Sequence, residues 1–242
     1  MSLADDIAGW IADHVRAAGL DGAVLGLSGG IDSAVVSGLC ARALGKDNVL
    51  GMVMPIHSNP LDTQLGEDTA RAWGIEHRVM DLASIYDAFI ALLPPGSQMA
   101  DANLKPRLRM ITLYHHANTL NRMVVGTGNR SELMVGYFTK YGDAGVDLLP
   151  IAGLYKHQVR DLAREIGVPQ AIIDRPPSAG LWEGQTDEQE MGFSYAELDG
   201  ILASIARGET PSGNQEVIDR VQRMYRGSEH KRQLPPRYEP TT

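Results

Sequence analysis

The chain has 242 residues, 43% of them hydrophobic and 21% charged, which suits one globular domain with a sizeable core. A formal net charge of -8 argues against a general nucleic-acid binder, and no apolar run approaches the ~18 residues of a membrane span. The single cysteine, Cys40, excludes an internal disulfide and a cysteine-built zinc cluster.

Residues 2–18 read as a helix with Ile7, Trp10, Ile11, His14 and Val15 on one face. This opening is acidic and amphipathic and lacks the basic and apolar regions of a secretory signal, so a cytoplasmic enzyme is expected. The stretch GAVLGL (22–27) carries no polar side chain, as expected of a strand buried on both faces of a parallel sheet. A helix follows over 33–44, closed by Gly45. NVLGMVMP (48–55) is a second buried strand. Asn59 caps a further helix with Pro60 in its first turn. HRVMDL (77–82) is a third strand, 84–93 a short helix, PPGSQMAD (94–101) a loop and 103–118 a long helix. RMVVGTGN (122–129) is a fourth strand entering a turn.

Strands alternating with helices predict an α/β fold: a doubly wound, mostly parallel sheet flanked by helices, in a single domain over 1–242. Ligands of such sheets sit beyond the carboxyl ends of the strands, where 28–33 and 127–132 both fall. After Gly136 the alternation weakens into an irregular arm. A helix spans 155–166, and 175–192 (RPPSAGLWEGQTDEQEMG) has the length and composition of a mobile lid loop. Helices over 195–206 and 215–225 close the chain, and the tail, 227–242, is basic and proline-rich.

The loop SGGIDS (Ser28–Ser33) is the most informative stretch. Backbone N–H groups of Ser28, Gly29 and Gly30, with the helix N-terminus behind them, form an anion cradle. A lone GG turn is more often a plain strand-to-helix connection. Here it follows a wholly apolar strand and carries an acid where the commonest phosphate loop carries a lysine. A carboxylate beside phosphate is repulsive unless a cation lies between them, so Asp32 predicts Mg²⁺.

SGGIDS resembles the pyrophosphate loop of the N-type ATP pyrophosphatases, which split ATP to AMP and pyrophosphate on a Rossmann-like, adenine nucleotide alpha hydrolase-like fold. NLKPRLRM (103–110), the run from Val124 to Lys156, the 175–192 segment and EHKRQLPP (229–236) narrow the resemblance to the NAD synthetase family over nearly the whole chain. That resemblance implies an acid–ammonia ligase that adenylates the nicotinate carboxylate of deamido-NAD with ATP. Ammonia then displaces AMP to give NAD. It implies ATP contacts at Gly26, Leu27, Ser28, Gly29, Gly30, Ile31, Asp32, Ser33, Thr127, Lys156 and Ser178. Asp32 and Glu132 match the family's catalytic Mg²⁺ ligands. Arg107, Lys140, Asp147, His230 and Lys231 match its deamido-NAD contacts, and a homodimer is implied, with the tail folding over the dinucleotide.

Each residue also has a plainer reading. Glu132 opens a helix, Thr127 is a helix cap, Ser178 is an ordinary loop serine, and Arg107 and His230–Lys231 are ordinary solvated charges. Lys156 is an odd cation for a helix N-terminus, which favours anions. Pro106 stands where the family commonly has alanine; proline costs ~3 kcal/mol inside a helix, so the helix is expected to begin near it. Cys40 lies in an apolar helix and reads as packing. The chain has no room for a glutaminase domain, so free ammonia or a separate glutaminase partner is the implied nitrogen source. Two alternatives stay open: another ATP-pyrophosphatase-type amide-forming ligase, and a module that senses ATP without turnover. The paired acids Asp32 and Glu132 favour catalysis over sensing.

Overall fold

In the computed structural model the described residues are 2–182 and 184–239. Residue 183 of the expected lid and residues 240–242 of the expected tail lie outside the described residues. In chain order the elements are α1 (Leu3–Ala17), β1 (Gly22–Gly26), α2 (Ile31–Leu44), a 3-10 turn (Lys46–Asn48), β2 (Val49–Val53), α3 (Pro60–Trp73), β3 (Glu76–Val79), α4 (Ala83–Ile90), α5 (Gln98–Ala102), α6 (Leu104–Leu120) and β4 (Arg122–Val124). The rest of the described chain is helical and irregular: α7 (Arg130–Val135), α8 (Lys156–Ile166), α9 (Gln170–Ile173), α10 (Asp187–Met191), α11 (Tyr195–Ala206), α12 (Gln215–Gly227) and α13 (Glu229–Arg232).

The four strands pair in parallel in the order β3-β2-β1-β4. Strand side chains alternate between faces, and here the alternation divides two cores. Ala23, Leu25, Val49, Val53 and Met123 meet α1, α2 and α8 on one face. Val24, Leu50, Met52 and Val124 meet Leu113 and Ala117 of α6 on the other. This is the doubly wound sheet expected from the apolar strands. A third cluster, built from α7, α10, α11 and α12, stands beside it.

Strand order reverses between β1 and β4, so the crevice of the sheet opens at their carboxyl ends. The loop 28–30 leaves β1 there, and Thr127 follows β4. The fourth strand is shorter than expected. The Val125 N–H still bonds the Val24 carbonyl of β1 at 2.9 Å, while an isolated bridge to Leu148 and the Gly126 N–H on the Leu148 carbonyl at 2.8 Å bring the irregular arm against the other edge of this segment. The segment expected as a loop at 94–101 contains the start of α5, whose cap is the Ser97 hydroxyl on the Ala100 N–H. Pro106 sits in the first turn of α6, where no intrahelical N–H bond is lost.

Cys40 is fully buried in α2, and burial pushes its thiol up to about 12. Iodoacetamide at pH 8 is therefore expected to leave the native protein unmodified and to add one group per chain after unfolding. Stoichiometric labelling of the folded protein, read by mass spectrometry, would contradict this placement.

Candidate active site

The α2 N-terminus has no side-chain cap. Among the described residues no protein acceptor takes the N–H groups of Gly29, Ile31, Asp32 or Ser33. These are the free donors of a helix start, pointed where an anion can reach them. Ser33 shapes the turn: its hydroxyl donates to the Gly30 carbonyl at 2.9 Å and accepts the Ser28 N–H at 3.3 Å. Gly29 has φ +76°, and a Cβ there would meet the Asp62 carbonyl oxygen at 2.6 Å, so both the backbone and the space require glycine.

A cavity of about 580 Å³ opens over this loop. Of the residues expected from the sequence, Gly26, Leu27, Ser28, Gly30, Ile31, Asp32, Thr127, Glu132, Lys156, Ser178 and Lys231 line it. Gly29 and Ser33 build the loop from behind. Arg107, Lys140, Asp147 and His230 do not line this cavity. Lys140 lines a smaller one of about 250 Å³ that shares Lys231, and its ammonium donates to the His230 carbonyl. Arg107 is exposed, with one N–H on the Lys140 carbonyl at 3.3 Å. The Asp147 carboxylate accepts the Val124 N–H and the Tyr114 hydroxyl, each at 2.8 Å.

The expected Asp32–Glu132 pair does converge, and a third residue joins it. The Lys156 ammonium, on a residue 1% exposed, donates to Asp32 Oδ2 at 2.7 Å and to Glu132 Oε1 at 2.8 Å. Asn129, the cap of α7, reaches Asp32 Oδ1 at 3.0 Å. Burial opposes the charge on Lys156, but the Asp32 and Glu132 carboxylates outweigh it and hold its pKa above the ordinary value. Glu132 moves the other way from a usual paired acid. Burial pushes it up to about 7 despite Lys156, and Asp32 adds to the rise.

Several lining residues carried no signal of their own in the sequence. Arg109 donates to the Met54 carbonyl at 2.9 Å. Arg175, the first residue of the lid motif, pairs with Asp62 and donates to the Gly29 carbonyl at 3.3 Å. Asp143 accepts the Thr139 N–H at 2.8 Å. Asp187 contacts the hydroxyls of Tyr195 at 2.9 Å and Tyr137 at 3.2 Å, and Tyr137 also reaches Glu190 at 2.8 Å. Burial raises the Asp187 pKa, against Lys156 and the two tyrosine hydroxyls. The 175–192 segment is thus tied down at several points. Lys105 donates to the Leu181 carbonyl at 2.7 Å, and Ser178 to the Gln185 carbonyl at 2.7 Å.

Among the described residues the cavity carries six carboxylates (Asp32, Asp62, Glu132, Asp143, Asp187, Glu190) against four basic groups (Arg109, Lys156, Arg175, Lys231). An anionic ligand entering it meets a deficit of positive charge. The hard oxygen donors of Asp32 and Glu132, beside a phosphate-type cradle, fit a divalent cation such as Mg²⁺.

A family model described as NAD synthase matches residues 3–235. The NH(3)-dependent NAD(+) synthetase of Archaeoglobus fulgidus is 50% identical over 95% of this chain and 93% of its own. Among solved structures, an NMN synthetase from Francisella tularensis superposes with a TM-score of 0.90 at 35% identity, over 98% of this chain and 97% of its own. An NH3-dependent NAD synthetase from Campylobacter jejuni subsp. jejuni superposes at 0.83 and 30% identity, over 98% of each chain.

Because Glu132 is protonated more tightly in the folded chain than its ordinary 4.5, folding takes up a proton between pH ~4.5 and ~7, and stability falls as pH rises through that window. In divalent-free buffer, Glu132→Gln is expected to flatten this decline. Relative to wild type it should gain on the order of 2 kcal/mol between pH 5 and pH 8. Parallel pH slopes in denaturant titrations of the two proteins would contradict the buried acid.

Proposed function

Since the chain belongs to the NAD synthase family, we infer that it makes NAD from deamido-NAD, ATP and ammonia, as an ATP-dependent ligase that forms an amide C–N bond. The observation that carries the residue-level reading is the convergence of Asp32, Glu132 and Lys156 at the mouth of the uncapped α2 cradle.

The chemistry follows from that arrangement. An oxygen of the nicotinate carboxylate bonds to the ATP α-phosphorus as the bond to the β-phosphate bridging oxygen breaks, giving an acyl adenylate and pyrophosphate. The free N–H groups of the loop, with Arg175 beside Gly29, hold the departing pyrophosphate, and their dipoles are oriented before charge develops. In this reading the Lys156 ammonium turns from the two carboxylates it now holds to the α-phosphate. Ammonia then adds to the acyl carbon, AMP leaves with the C–O electron pair, and the nitrogen sheds a proton. Asp32 and Glu132 are the residues that would hold Mg²⁺, whose charge on the phosphates would lower the cost of the first step.

The sensing alternative is not favoured by a site of this kind. The readout is direct: ATP, Mg²⁺, ammonium and deamido-NAD should give NAD, AMP and pyrophosphate in equal amounts. The nicotinate mononucleotide belongs in the assay as a second acid, because the Francisella relative is an NMN synthetase. ADP release, or turnover indifferent to deamido-NAD, would defeat the reading. Asp32→Asn should cut turnover at least 100-fold while keeping a cooperative melting transition, at a lower temperature because Lys156 loses one of its two carboxylates.

Arg107, Lys140, Asp147, His230 and Lys231 are proposed as the deamido-NAD side of the site; the smaller cavity supports this for Lys140 and Lys231, which line it. The protein is proposed to act in the cytoplasm; among the described residues no helix is long and apolar enough to cross a membrane. Its nitrogen is proposed to come from free ammonia or a separate glutaminase. A homodimer is supported by an apolar face on α4, the turn after it and α6: Ile85, Phe89, Leu92, Leu93 and Ile111 are all exposed. Exposed apolar patches of this kind mark association surfaces. Phe89→Asp is expected to convert a dimer into a monomer in sedimentation velocity. A wild-type protein that sediments as a monomer at micromolar concentration would refute the dimer.

A further inference from the structure

The carboxylate–lysine convergence needs α7 and α8 to be held together, because Glu132 lies on one and Lys156 on the other. Neither side chain does this alone; a fourth residue, Asp199 on α11, joins the two helices. It is 4% exposed and lines neither cavity. Its Oδ1 accepts the hydroxyl of Ser131, the neighbour of Glu132. Its Oδ2 accepts the His157 N–H at 3.1 Å and lies 2.8 Å from His157 Nδ1. Ser131, itself fully buried, completes the junction by accepting the Lys156 N–H at 2.9 Å.

Two features make this more than a filled core position. The N–H groups of residues 156 and 157 are the first two of α8, which no intrahelical carbonyl can take. Asp199 and Ser131 take both, so a negative charge sits at a helix N-terminus whose first side chain is a cation. That anion offsets the unfavourable placement of Lys156. Second, the same face of α11 carries Tyr195, one turn earlier. The Tyr195 ring lies 4.8 Å from the Lys156 ammonium, and its hydroxyl lies 3.1 Å from Glu132 Oε1. One helix face therefore holds the neighbours of the pair, Ser131 and His157, through Asp199, and the side chains of the pair through Tyr195.

We propose that Asp199 is a positioning residue of the ligase: by fixing Ser131 to the start of α8 it sets Glu132 and Lys156 at their working separation. The inference rests on the adenylating role given to that pair above. Asparagine at 199 keeps the size but removes the charge and replaces one acceptor oxygen by a donor, so either the Ser131 hydroxyl must turn round to accept from the amide or the His157 N–H loses its acceptor.

The test compares full-length wild type and Asp199→Asn by calorimetric titration with ATP and by pyrophosphate release at saturating ATP, Mg²⁺, ammonium and deamido-NAD. The variant is expected to bind about one ATP per chain while its saturating rate falls at least tenfold, with the KM for deamido-NAD changed less than about twofold. A rate within twofold of wild type overturns the proposal. So does a binding stoichiometry that falls in step with the rate, which would mark a loss of folded protein. If Asp199→Asn does not fold, Ser131→Ala removes the shared hydroxyl alone and is read by the same criteria, with a loss of threefold or more expected. Wild-type protein that forms no NAD would count against the ligase reading and not against the clamp.

Discussion

The buried ammonium of Lys156 is the interaction on which the site is built. An ion taken out of water costs several kcal/mol unless charge and hydrogen bonds replace the solvent. Here two carboxylates do so, at 2.7 and 2.8 Å. Each comes from a different helix: Asp32 from the start of α2, Glu132 from α7, and the lysine from the start of α8. Removing one partner of such a group leaves an uncompensated charge, a loss of roughly 3–5 kcal/mol. The strand order brings the three elements together, because β1 and β4 are neighbours and release their loops at one edge of the crevice. Glu132 records the strain of the arrangement. It shares its lysine with Asp32, and burial leaves it poised near neutrality.

The fold was legible because its two central strands, β1 and β2, are short and wholly apolar. GAVLGL has no polar side chain to declare a solvent face, and its residues do divide between two cores. What the sequence could not show is pairing beyond the strands. Past Val124 the chain is held on one edge by the Val24 carbonyl and on the other by Leu148, distant in sequence. The helix at α5 was hidden because a five-residue segment shows too little periodicity for a pattern to emerge.

In the candidate site, the positions of the loop 28–33 after β1 and of Asp32 in the first turn of α2 were readable, since local pattern decides them. The cations were harder. Arg107 and Arg109 are two residues apart on α6, so they point to different faces. The sequence gives the opposition but not which one looks inward. The structure turns Arg109 to the cavity and leaves Arg107 outside. Lys156 was conspicuous in the sequence as a cation at the wrong end of a helix. In the structure its nearest compensation is protein carboxylate, with phosphate a second possible partner. The tail shows the same limitation. Its basic run looked solvated, yet Lys231 donates to the carbonyls of Gly136 and Phe138, and Arg232 to that of Met134. Those carbonyls lie at and just beyond the end of α7, where a cation is favoured, and no local pattern announces a contact nearly 100 residues away.

These arrangements point to one design constraint. A cavity proposed to admit a triphosphate and a dinucleotide would bind them most simply by lining itself with lysine and arginine. This cavity instead carries more acids than bases among its described residues. Its fixed positive potential comes from backbone N–H groups, which cannot pair away with a neighbouring carboxylate and do not collapse when the ligand leaves. Side-chain cations are each engaged with protein oxygen: Lys156 with two carboxylates, Arg175 with Asp62, Lys231 with backbone. Such pairing keeps the empty site stable and makes each cation exchange one oxygen partner for another when phosphate arrives. Under the proposed function the net affinity for substrate would be a small difference between two similar interactions, which would let pyrophosphate, AMP and the finished dinucleotide depart.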